Sequence, residues 1–102
     1  MTIDASVSNA TALSYDAVRS PDAYYPPMSA QLGETGAAIV QVCVTPEGRL
    51  ESAPQVAQTS GYPRLDTAAV TWASEALRFK PATAGGVPVR SCAGFRVKFR
   101  LT

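Results

Sequence analysis

The chain carries two cysteines, Cys43 and Cys92, and no histidine. Structural zinc is held by four Cys or His donors, more than these residues supply. No Cys-x-x-Cys is present to run dithiol exchange. Without histidine there is no ready general base near neutral pH, and neither a Gly-x-Ser-x-Gly turn nor a phosphate loop occurs. Asp66 and Glu75 fall on different sides of one helical pattern, so they do not form a carboxylate pair. The expectation is a protein that is not an enzyme and uses no metal or cofactor. What remains is binding chemistry. Arg90, Arg96, Lys98 and Arg100 share parity, so an extended backbone sets all four cations on one face. Tyr24 and Tyr25 run into Pro26 and Pro27, an aromatic and rigid chain entry.

These residues need elements to position them. From Ala37 to Thr45, Ala38, Val40, Val42 and Val44 alternate with Ala37, Ile39, Gln41 and Cys43, which predicts a strand. Thr45-Pro46-Glu47-Gly48-Arg49 has turn chemistry, and a second strand is predicted from Arg49 to Gln58. Pro54 lies inside that second strand and cannot donate to a ladder, so the strand reads as an edge. Leu65, Ala68, Ala69, Trp72, Ala73, Ala76 and Leu77 recur with helical spacing and predict an amphipathic helix, with Asp66 and Arg78 complementing its dipole. Trp72 and the alanines read as core. After Gly85-Gly86, a third strand is predicted from Val87 to Leu101. Met28 to Leu32 predicts a short helical turn stopped by Gly33. Residues 1–22 read as a flexible arm or linker end, and 23–102 as the domain. The fold class is α+β: a three-stranded antiparallel sheet in order 2-1-3, with one main helix and a short N-terminal helical turn packed on one face.

A chain of 102 residues, 46% hydrophobic and 17% charged, fits one globular domain. Its net charge of +1 gives no global attraction to nucleic acid. Phe95 and Phe99 alternate with the cations and point to the core side, so the stripe is not a base-stacking platform. No run approaches the roughly 20 apolar residues of a membrane span, and the start lacks a signal peptide's pattern. A signal or anchor is expected either upstream of this chain or nowhere.

Several short motifs stand in order along the chain: Tyr25-Pro26, Gly36 opening a strand, Thr45-Pro46-Glu47-Gly48-Arg49, Ser60-Gly61, Leu65-Asp66 with Ala68-Ala69, Arg78-Phe79-Lys80-Pro81-Ala82, Gly86-Val87-Pro88-Val89, and Phe95-x-Val97-x-Phe99. Each is weak alone. Together they resemble the C-terminal domain of TonB energy transducers over residues 24–101. Asp22 departs from the Gln that studied members carry before the Tyr-Pro motif.

The resemblance implies a periplasmic domain of Gram-negative bacteria that binds the TonB box of outer-membrane receptors. The box is an extended peptide that adds beside the last strand, and the domain then transmits energy for active transport. Coupling to the ExbB–ExbD motor would run through an inner-membrane anchor outside this chain. The alternative is a soluble periplasmic adaptor of the same fold without motor coupling. The implied peptide site takes in Tyr24, Tyr25 and Pro26, with Arg90, Ser91, Ala93, Phe95, Arg96, Val97 and Lys98 of the last strand. Pro54 blunts the second strand's free edge, which leaves the last strand's ladder open. That edge would dock a peptide, pair with a second copy in a homodimer, or stay solvated. Its cations would attract an acidic peptide, or simply guard the edge against aggregation.

Cys43 and Cys92 both point away from the helix-covered face. If the first and last strands pair antiparallel, a register that sets Cys43 opposite Cys92 also sets Ala37 opposite Lys98 and overlaps the strands well. A cross-strand disulfide is then geometrically open, best at a non-hydrogen-bonded pair. Two independent thiols are the alternative.

Overall fold

The structure, a computed structural model, describes residues 3–7 and 13–101. Its centre is a long antiparallel pair, β3 (Gly36–Val44) and β8 (Ser91–Phe99). Alternation fixes their register: Ala38, Val40, Val42 and Val44 of β3 and Ala93, Phe95, Val97 and Phe99 of β8 are buried on one face. A one-residue slip of either strand would turn its own buried set to solvent. Helix α2 (Pro63–Glu75) covers that face with Leu65, Ala68, Ala69, Trp72 and Ala73. The alanines let the helix approach closely, and the fully buried Trp72 fills the volume that they leave. Its indole N–H donates to the Arg19 carbonyl at 2.8 Å, so the one polar atom of the side chain is satisfied.

The three expected strands occur in the expected order. β4 (Gln55–Gln58) flanks β3 on one side, and β8 flanks it on the other. β4 is shorter than the predicted second strand. Only an isolated bridge from Val44 to Leu50 precedes it, and the buried Pro54 ends the break rather than sitting in the ladder. Proline's missing N–H explains why pairing resumes just after it. The third strand is also divided. β6 (Thr83–Ala84) and β7 (Val87–Pro88) form a small hairpin before β8 begins.

Helix α2 stops at Ala76, and Leu77–Lys80 forms β5. Arg78 therefore lies past the helix, yet its guanidinium still donates to the Glu75 carbonyl at 3.0 Å. α1 (Pro27–Gln31) is the expected helical turn, followed by Gly33 with φ of 71°. Gly36 has a different reason to be glycine: a Cβ there would stand 2.8 Å from the Ser60 carbonyl oxygen.

The segment read as a flexible arm holds two further strands. β2 (Ser14–Ala17) pairs with β5, and the neighbouring Leu13 is buried in the core. A 3-10 helix over Pro21–Tyr24 follows. β1 (Ile3–Val7) pairs antiparallel with β8 on the side away from β3. The sheet is thus four-stranded, in order β1-β8-β3-β4, and the outer ladder of the last strand, expected to be open, is taken by β1. The remaining arm residues, 1, 2 and 8–12, lie outside the described residues.

Candidate functional site

β8 has two edges, and backbone parity decides which residues serve each. In an antiparallel strand a residue directs its N–H and C=O to the same side. The Cys43 carbonyl accepts from the Glu51 N–H at 2.9 Å, on the side away from β8. Cys43 and its opposite residue Cys92 therefore form a non-hydrogen-bonded pair of the β3–β8 ladder, with Cα atoms 4.0 Å apart and a disulfide between them. The same parity turns Ser91, Ala93, Phe95, Val97 and Phe99 toward β3. Gly94 and Arg96 direct their main-chain groups to the outer edge, opposite Ser6 and Asp4 of β1.

This redistributes the predicted peptide-binding residues. Ala93, Phe95 and Val97 are buried in the core, and the ring of Phe95 meets Tyr15 of β2 edge-on at 5.0 Å. Buried Ser91 accepts from the Ala82 N–H at 3.1 Å, which ties the start of β8 to the preceding hairpin. These side chains build the strand. They do not present its edge. Arg96 and Lys98 are exposed on the face opposite α2, as expected. Arg90 is also exposed, but it leans the other way and makes a two-point ion pair with Glu51, at 2.9 Å for Nη2 to Oε1. The hydrogen bond from Arg90 holds the Glu51 carboxyl below its ordinary pKa.

The Tyr-Pro segment lies around the end of β8 rather than along its edge. The Tyr25 ring stands edge-on to Phe99 at 5.5 Å, and its hydroxyl donates to the Glu34 carbonyl. Burial, with Glu34 and Asp22 nearby, raises the pKa of that hydroxyl. Tyr24 donates to Glu75 on α2 and accepts from Arg19, both at 3.3 Å. Tyr24, Tyr25, Pro26 and Pro27 face Arg64 and Thr71 of α2 across an open groove of about 630 Å³. The implied binding residues therefore fall on two surfaces, an edge and a groove.

Two residues essential to this arrangement escape sequence reasoning. Gly94 directs its main-chain groups outward, opposite Ser6 of β1, and a Cβ there would make only ordinary contact with Ile39, at 3.6 Å. Glu34 is the hub of the chain entry. Its carboxylate accepts from Ser29 at 2.7 Å and from Arg64 at 3.1 Å, while its carbonyl takes the Tyr25 hydroxyl. Among the described residues, no cluster of three or more His, Cys, Asp or Glu could hold a metal ion, and no helix is long and apolar enough to cross a membrane.

The geometry defines a small α+β domain in which a helix and a helical turn accompany an antiparallel sheet. The family model described as Gram-negative bacterial TonB protein C-terminal matches residues 21–101, and the chain belongs to that family. No curated protein matches it.

Proposed function

We propose that the domain docks an extended peptide, the TonB box of an outer-membrane receptor, by strand addition along the outer edge of β8 and transmits load to it for active transport. One observation carries this reading. The outer edge of β8 already accepts one strand, the five-residue antiparallel β1 in unbroken register, so its backbone is suited to strand addition once β1 leaves. Family membership supplies the class of partner. Main-chain bonds supply the grip, and Arg96 and Lys98 favour an acidic ligand.

The sheet is also built to carry load inward. Force applied at the edge reaches β8 first, and the Cys43–Cys92 bond ties β8 covalently to β3 at the centre of the sheet. β8 cannot be peeled from β3 at that end without breaking the bond. The ExbB–ExbD motor would supply the force through an anchor outside this chain. NMR titration with a synthetic TonB-box peptide tests the docking step. Amide shifts centred on Gly94 and Arg96 are expected, and shifts confined to β4 would refute it.

A further inference from the structure

The docking edge of β8 is occupied by the chain itself. β1 pairs with β8 in unbroken antiparallel register: Ile3, Ala5 and Val7 stand opposite Val97, Phe95 and Ala93, while Asp4 and Ser6 stand opposite Arg96 and Gly94. In this register the position opposite Arg96 is taken by an acid, Asp4.

The strand is nevertheless a weak one. Asp4, Ala5 and Ser6 are poor strand formers, and β1 is the terminal strand of the sheet, hydrogen-bonded along one side alone. Such elements open at a small fraction of the global unfolding free energy. Residues 8–12 join it to Leu13, which is fixed in the core, so β1 stays close to its edge whether paired or not. A short covalent connection gives an effective concentration on the order of millimolar.

We propose that Ile3–Val7 is a built-in competitor, a stand-in for the partner peptide that keeps the β8 edge closed until a better strand displaces it. This rests on the docking reading above and adds its regulation and the chemistry of the ligand. The displacing segment runs antiparallel to β8, with apolar residues at alternate positions and an acid opposite Arg96. β-branched residues in place of Ala5 and Ser6 give it the advantage over β1. Affinity for the partner falls in proportion to the fraction of molecules whose edge is open.

The test compares the full chain with its Asp4→Pro/Ser6→Pro variant, since by parity these two residues supply the N–H groups that β1 directs at β8. Two readouts are taken: hydrogen exchange at the Gly94 and Arg96 amides, and fluorescence anisotropy of a labelled synthetic peptide, Thr-Ile-Asp-Val-Thr-Val-Ser. Loss of protection at both amides with binding tightened about tenfold, as a competent fraction near a tenth would give, supports the proposal. Unchanged protection means that β1 does not close the edge, and lost protection with unchanged affinity means that it does not compete. Either result overturns the inference and leaves docking standing. A bare edge that binds no peptide at all overturns the docking reading itself, and the competitor with it.

Discussion

Cys43 and Cys92 stand directly opposite each other on the two central strands, at a pair whose main-chain groups point outward on both sides. The bond between them closes a separation of 49 residues that contains β4, α2 and β5. Closing such a loop restricts the unfolded chain by up to about 4 kcal/mol in the chain-entropy account. The Cys43→Ser/Cys92→Ser variant should unfold at a clearly lower urea concentration than the oxidised protein, and reductant should move the wild type the same way. Coincident midpoints would mean that the bond adds nothing to stability.

Trp72 joins the core to the chain entry through its hydrogen bond to Arg19. Trp72→Phe removes that donor, leaves the Arg19 carbonyl without it and opens a void beneath α2. A loss of about 2 kcal/mol is expected, measured by chemical denaturation followed by circular dichroism. A change within error would mean that water or a shifted α2 repairs the site.

Asp66 gives the domain an acid-sensitive point. Its partial burial raises the carboxyl pKa, but hydrogen bonds from the Thr59 hydroxyl, the Ser60 N–H and the Ser60 hydroxyl outweigh this and lower it. A folded-state pKa below the unfolded one contributes stability that is present above the unfolded value and is lost as pH falls through the folded value. The stability difference between wild type and Asp66→Asn should therefore be constant above about pH 5 and shrink below about pH 4. Urea midpoints across that range check it, and a difference that persists into acid would contradict it.

The exposed cations make a separate prediction. Arg96→Glu with Lys98→Glu should weaken binding of an acidic peptide and abolish its decline with added salt. Arg90→Ala should do neither, because Arg90 is turned toward Glu51. Equal effects from the two substitutions would place the attraction in the field of the whole domain rather than at the edge.

Much of this fold is legible in the sequence because its central pair alternates cleanly. The valines of β3 and the aromatics of β8 fix the buried face, parity sets Cys43 and Cys92 on the other, and the register of the pair brings them opposite each other. α2 is equally plain from the spacing of Leu65 through Ala76. Other elements are hidden by competing signals. Leu77 continues the helical spacing of α2, which masks the alternation of Leu77-Arg78-Phe79-Lys80 that forms β5. Ile3–Val7 alternates too, but Asp, Ala and Ser give it little intrinsic strand preference, and it pairs only because a ready edge lies beside it. The resemblance marks the whole last strand as a region and does not single out the residues of its edge. The backbone of its neighbours is needed to separate Gly94 and Arg96, which face outward, from Ser91, Ala93, Phe95 and Val97, which do not.

The central claim concerns one edge, and it can be tested in cells. A photo-crosslinking amino acid placed at Arg96, beside the outer edge of β8, is compared with one at Gln55 on β4, at the opposite side of the sheet. Irradiation of Gram-negative cells making each variant should join the Arg96 position, and not the Gln55 position, to an outer-membrane receptor. Receptor adducts from Gln55 with none from Arg96 would contradict docking at β8.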